Sequence, residues 1–334
     1  MKIRPLLLTL GSLLVAIVLS IVIGSVQIPL GDVWRVLTWR MPLEVSGADI
    51  IVLTLRLPRT MLILLTGAAL GATGAAYQAI FRNPLADPYL IGTASGAGLG
   101  AVLAMSVKWP YTTPGLLAVP AAAFIGALLA VFLVYLLARV GKTVPTTNLI
   151  LAGVAVSAFT TAVTTFLMLR SDGELRRAIA WLAGGSTFTG WQPVLIVLPF
   201  LLTALGGLLL SGHHLNVLQF GDDQARQLGL SVGRTRALVL IAASLATAAA
   251  VAFSGIIGFV GLIVPHLMRM WFGADHRRLL PLAMTGGAAF LLLADVLARV
   301  VLASQELPVG IVTALAGAPF FVWVLRRAKN QGYW

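Results

Sequence analysis

The sequence predicts an all-α integral membrane protein that crosses the bilayer ten times, and three observations carry that prediction. Hydrophobic residues make up 59% of the 334 and charged residues only 10%, against roughly 25% charged in soluble domains. Uncharged runs of about 20 residues, enough to cross the hydrocarbon core as one helix, recur along the chain. Polar residues gather in short segments between those runs, with one long exception, Ser211 to Arg236.

The apolar runs follow one another with short polar breaks. Lys2 and Arg4 precede the first, Leu6 to Val26, and predict a cytoplasmic amino terminus. This run is long enough to span by itself, so it reads as a retained helix rather than a cleaved leader. Gln27 to Arg56 is amphipathic, with Trp34 and Trp39 as interface anchors, and is expected outside. The second span follows from Pro58 to Phe81, and the prolines of FRNPLADP (Phe81 to Pro88) stop it in a tight inner turn. The third runs from Tyr89 to Val107, before the outer loop KWPYTTP. The fourth, Gly115 to Ala138, ends at inner Arg139 and Lys142, and the fifth covers Asn148 to Leu169. An outer segment, RSDGELRRAIAWLAGGSTF, should carry a surface helix ending near Trp181.

The sixth span is Trp191 to Leu210, and the polar insert follows. Ala237 to Val264 is too long for one upright helix, and Gly255, Gly258 and Gly261 suggest a span, a turn and a short returning half, counted as spans seven and eight. The inner loop HLMRMWFGADHRR, the ninth span from Leu279 to Val301, the outer turn SQELP and the tenth span from Val309 to Leu325 complete the chain, with both termini inside. Inner segments then hold fourteen of the 23 Lys and Arg and outer segments nine, the expected sign of bias.

Composition also excludes. Cysteine is absent, so disulfides, thiolate metal sites and haem attached through cysteine are ruled out. The net charge of +12 lies in short loops beside apolar runs, where it reads as a topological signal and not as a nucleic-acid surface. Val140-Gly141-Lys142-Thr143 looks like the end of a phosphate loop, but the first glycine of that motif would fall at Leu136. No other GKS or GKT exists, so any ATP must be used by a partner. The four histidines, His213, His214, His266 and His276, form no recognised ligand spacing.

Four features remain. Gly67 and Gly71, and Gly92, Gly96 and Gly100, recur every four residues and predict close helix packing. Asp295 is the one acid placed well inside a span, and Arg299 lies four residues on, where the two can pair on one helix face. Arg56 and Arg59 share a face at the outer entrance of span two and, with Arg299, give a cationic rim suited to lipid phosphates or to an acidic external protein. In the polar insert, Phe220-Gly221-Asp222-Asp223 reads as a turn and an acidic helix start, and Gly229 stops the short helix.

LRLPRT with GAALGATGAAYQAIFRNPLADP, then LILAGVA, LGLSVGRTR, GFVGLIVPHLMR, ADHRRLLP, ADVLAR and ELPVGIVTALAGAPFF resemble, in this order over essentially the whole chain, the FecCD-type permeases of ABC importers. That family carries ferric siderophores, haem and vitamin B12. The resemblance implies one permease domain over residues 1–334 of the type II importer kind, with a cytoplasmic coupling loop at about 211–236. It implies a homodimer, or in some members a heterodimer, with two cytoplasmic ATP-binding subunits that use ATP and magnesium, an external binding protein, and a cell (inner) membrane location. The permease itself would be non-catalytic and bind no cofactor. Gly221, Asp222, Ala225, Arg226, Leu228 and Gly229 match the ATPase-coupling stretch. Arg56, Arg59 and Arg299 fall on positions that face acids of the binding protein in a family member. Asn83 and Leu85 match one inner gate, and Thr146 and Thr147 fall at a second, with different residue identities.

Two other classes fit the sequence less well. An ion-driven secondary transporter usually places ionisable residues at mid-membrane, where only Asp295 qualifies. A membrane-embedded enzyme has no nameable catalytic constellation here.

Overall fold

The computed structural model describes residues 3–24, 26–38, 47–110, 112–141, 143–170, 175–185, 190–302 and 305–330. The expected anchor Trp39, Lys142, Ser304 of the outer turn, and residues 171–174 and 186–189 of the expected outer segment lie outside them. The described residues are helical throughout, apart from turns and one isolated bridge between Val140 and Thr143. In order come α1 (Ile3–Val22), α2 (Leu30–Leu37), α3 (Gly47–Ile50), a π-helical segment (Ile51–Arg56), α4 (Leu57–Ile80), α5 (Thr93–Met105), α6 (Thr113–Ala138), α7 (Thr146–Leu169) and α8 (Leu175–Leu182). After these follow α9 (Gln192–Leu210), α10 (Gly212–Leu218), α11 (Asp222–Gln227), α12 (Val232–Ser254), α13 (Val260–Phe272), α14 (His276–Val300) and α15 (Val309–Asn330).

Seven of the described helical stretches are long and apolar enough to cross a membrane: Arg4–Val22, Gly47–Ile80, Thr113–Ala138, Thr146–Leu169, Gln192–Leu210, Val232–Ser254 and His276–Val300. The other three expected spans correspond to shorter apolar helices, Thr93–Met105, Val260–Phe272 and Val309–Val324.

Three boundaries differ from expectation. The second span does not start at Pro58, because helix continues back to Gly47. A proline inside a helix lacks a donor and crowds the carbonyl four residues before it. The widened turn just upstream relieves this, with the Leu57 N–H donating to the Val52 carbonyl five residues back. The helices expected as spans seven and eight are unequal. The seventh begins at Val232 inside the polar insert and ends at Gly255 (φ +72°), and the eighth extends to Phe272, so that His266 to Trp271 are helical rather than loop. The intervening residues 255–259 are non-helical, with Gly255 and Ile257 buried, and a buried backbone needs partners. Tyr89 Oη supplies them, donating to the Ile257 carbonyl at 3.0 Å and accepting its N–H at 3.2 Å.

The core is built on α4 and α14. A Cβ at Gly67 or Gly71 would press into the backbone carbonyls of Gly287 or Ala283, and one at Gly287 into that of Gly67. These helices touch backbone to backbone, as small residues allow where lipid removes the hydrophobic drive. Gly96 and Gly100 do the same against Gly126 and Ala122 of α6. Gly92 does not; it stands before α5 at φ +82°, where its missing Cβ serves the turn. Trp181, expected at the end of a surface helix, is buried under α5 and α12.

Candidate functional site

At one end of the bundle the polar insert folds into two short helices, each for a local reason. Leu215 and Leu218 of α10 are buried, so alternate turns seat that helix on the bundle. Gly221 takes φ +103°, open to glycine and strained for other residues, and turns the chain into α11. Asp222 and Asp223 then occupy the first turn, where the helix dipole favours acids. Ala225 is fully buried while Gln224, Arg226, Gln227, Leu228 and Gly229 face outward. Phe220 and Leu228 are 64% and 65% exposed, so the insert presents apolar surface as well as charge.

Asp222 is the node of this end. Arg236, from the start of α12, donates through one terminal nitrogen to both Asp222 oxygens at 3.0 and 3.2 Å, and through the other to the Val144 carbonyl at 3.1 Å. Arg82 places a nitrogen 3.6 Å from the same carboxylate. It does so from a left-handed backbone (φ +50°), an uncommon conformation for a residue with a side chain. Through these two arginines α11 is tied to the loop holding Asn83 and Leu85 and to the loop leading into Thr146 and Thr147. Asn83 shapes its own loop, its side-chain oxygen accepting the Leu85 N–H at 2.9 Å. In that loop, burial pushes the Asp87 carboxyl up to about 6, against a bond from the Tyr89 N–H. Arg226 pairs with Asp223 at 2.9 Å, both exposed, and contributes little.

A second tie joins α10 to α14. Asn216 donates to Asp275 Oδ1 at 2.6 Å and accepts the His276 N–H at 2.7 Å, while Gln219 meets His276 Nδ1 at 2.7 Å. Asp275 also caps α14 through the Arg277 N–H at 3.0 Å. The Asn216 bond, then the Arg277 N–H and the neighbouring Arg277 and Arg278 charges, hold the Asp275 carboxyl below its ordinary value.

At the opposite end lie Arg56, Arg59 and Arg299, and they are not equivalent. Arg56 is buried, its guanidinium bonded to the Ile21 and Val22 carbonyls at 2.7 Å each and to the Val26 carbonyl, crossing Gly24, where a Cβ would collide with it. It closes the carboxyl end of α1, where cations are favoured. Arg299 is also buried, 3.1 Å from Asp295 Oδ2 and donating to Ser20 of α1. Arg59 alone of the three is partly exposed, at 32%, and it bridges buried Asp295 at 2.9 Å and exposed Glu306 at 2.6 Å.

The predicted coupling and gate residues therefore meet at one end, and the predicted docking arginines at the other. Sequence reasoning missed Arg82, Arg236, Asn216, His276 and Glu306, which carry the ties. The available signal was the isolation of Asp222 and Asp223 among basic neighbours, which requires partners. Among the described residues no group of three or more His, Asp or Glu side chains could hold a metal ion.

A bundle with seven helices long and apolar enough to cross a membrane defines a multi-pass membrane protein, and the comparisons place it among ABC transporter permeases. The chain belongs to the FecCD transport family, whose model matches residues 12–327. It is 41% identical over 327 residues to the uncharacterised ABC transporter permease protein YvrB of Bacillus subtilis, covering 96% of this chain and 92% of that one. Identity is 43% over 298 residues to the cobalamin import system permease protein BtuC of Halobacterium salinarum (88% and 79% covered). It is 39% over 283 residues to the hemin transport system permease protein HmuU of Yersinia pestis (84% of each). A solved structure described as an inward-facing conformation of a metal-chelate type ABC transporter matches with a TM-score of 0.82 at 32% identity, covering 97% of this chain and 98% of the other. Membership implies partner ATP-binding and substrate-binding components.

Proposed function

We propose that this chain is the membrane-spanning subunit of a binding-protein-dependent importer of a large metal chelate, namely a ferric siderophore, haem or cobalamin, driven by ATP hydrolysis in a partner. The observation that supports it best is the Asp222 node, in which two arginines link the exposed helix α11 to both loops assigned as inner gates. In this reading two copies form the pathway, each as a single permease domain with ten spans, seven long and three short. Both termini and the insert lie in the cytoplasm of a cell (inner) membrane.

A paired cytosolic ATPase closing on ATP and magnesium moves α11, gripping Gly221, Asp222, Arg226, Leu228 and Gly229, while buried Ala225 of the same matched stretch seats the helix on the bundle. Through Arg82 and Arg236 that movement reaches Asn83 and Leu85 on one side and Thr146 and Thr147 on the other, so the inner gate follows the nucleotide state. The chain binds no cofactor and carries out no chemistry. Arg59 meets acids of the binding protein, with Arg56 and Arg299 behind it fixing the helix ends. The cargo arrives already selected by that protein, so the duct needs width more than affinity.

The test is to replace Asp222 to Arg226 with a Gly/Ser linker in the assembled transporter, reconstituted in vesicles. ATP hydrolysis should persist while uptake falls to background. Normal uptake would reject the coupling role, and uptake driven by a proton gradient without ATP would reject the class.

A further inference from the structure

The opposite end of the molecule contains an ionic arrangement that the docking reading leaves unexplained. All three guanidinium nitrogens of Arg59 are already engaged: Nε and Nη2 donate to Asp295 Oδ1 at 3.1 and 2.9 Å, and Nη1 donates to Glu306 at 2.6 Å. The two acids are not alike. Asp295 is fully buried and shared with Arg299, so it is a permanent partner. Glu306 is 41% exposed and lies among residues 305–308, which are non-helical, just before α15. Arg59 also lines a cavity of about 180 Å³ with Glu306, Asp295, Gly184 and Leu307, so the guanidinium stands beside a space that a side chain from outside can enter.

We propose that Glu306 is an internal placeholder, occupying the outward-facing nitrogen of Arg59 until a carboxylate of the binding protein displaces it and enters this cavity. The inference rests on the docking reading above and adds the competitor. The charge count supports an acidic partner. Arg56, Arg59 and Arg299 against Asp295 and Glu306 leave one positive charge in excess, and releasing Glu306 to water raises the local excess around Arg59 to two. An exposed ion pair is weak enough to exchange, whereas the Asp295 pair is too buried to give up. The exchange swaps one charge-assisted bond for another, so docking forms without leaving a buried cation unpaired.

The test uses the complete transporter in lipid nanodiscs, titrated with its own purified, cargo-free substrate-binding protein. Glu306→Gln should tighten the Kd by about three- to tenfold, since the competing carboxylate is gone. Arg59→Ala should weaken it by at least tenfold, and in the Arg59→Ala background Glu306→Gln should change the Kd by less than about twofold. Tightening of equal size with or without Arg59 would reveal only long-range charge removal and would overturn the placeholder. If Arg59→Ala weakens binding but Glu306→Gln leaves it unchanged or weaker, the placeholder fails and docking stands. An Arg59→Ala variant that binds normally removes the docking reading itself, and the placeholder with it.

Discussion

Replacing Arg236 with methionine keeps most of the side-chain volume and removes the charge that anchors Asp222. At 3.0 Å, two unit charges in a medium of effective dielectric about 20 attract by roughly 5 kcal/mol. Asp222 is 30% exposed, so water screens the pair and about half of that survives. Loss of the bond to the Val144 carbonyl adds about 1 kcal/mol. Arg82, at 3.6 Å from the same carboxylate, recovers a part. The net weakening of about 3 kcal/mol corresponds to on the order of 100-fold more frequent local opening of α11. Hydrogen exchange of the amides of residues 221–229 should accelerate by that factor, with protection in α4 and α14 unchanged. ATP hydrolysed per cargo molecule imported should rise in parallel. Adding Asp222→Asn to Arg236→Met should cost only the remaining Arg82 contact, less than Asp222→Asn costs alone, because the two residues share the Arg236 pair. Unchanged exchange at 221–229, or additive effects of the two substitutions, would refute the node.

Other parts of the structure give sharper stability tests. Asp295→Ala leaves Arg59 and Arg299 facing an empty site, and should destabilise the chain by about 3–5 kcal/mol in detergent thermal unfolding, while Glu306→Gln at the exposed partner should shift it by under about 1 kcal/mol. Gly67→Ala drives a methyl into the Gly287 carbonyl and should cost about 1–3 kcal/mol, read by the same assay; Gly258→Ala, which meets nothing, serves as the control. The depressed Asp275 carboxyl stabilises the α10 to α14 tie above its ordinary value of 3.8 and loses that contribution as pH falls through the lower folded value. Asp275→Asn should therefore flatten the acid limb of the stability curve while keeping the cap, whereas Asp275→Ala should also lose about 0.5–2 kcal/mol of cap at neutral pH.

What the sequence revealed followed from physics that acts locally. Runs of apolar residues located the long helices to within a few positions, except at the start of the second, and the Gly67 and Gly71 spacing announced the α4 to α14 contact, because backbone approach demands small residues on one face. The continuous helix through Pro58 was hidden, since a proline reads as a helix start and the compensating π-turn depends on neighbouring helices. The burial of Arg56 and Arg299 was equally hidden: a basic residue near a span end looks the same whether it snorkels outward or closes the end of another helix. Asp222 stood out by its charge, yet its partners Arg82 and Arg236 lie 140 and 14 residues away in the chain, and only the fold brings them together.

In the proposed mechanism the 211–236 insert is a cytoplasmic handle gripped by an ATPase. The chain has no cysteine, so a single Gln224→Cys substitution on the exposed face of α11 reports its side of the membrane without background. A membrane-impermeant maleimide should label it in inside-out vesicles and not in intact cells, and assembly with the ATP-binding subunits should protect it. Labelling from outside intact cells, or labelling indifferent to those subunits, would contradict the account.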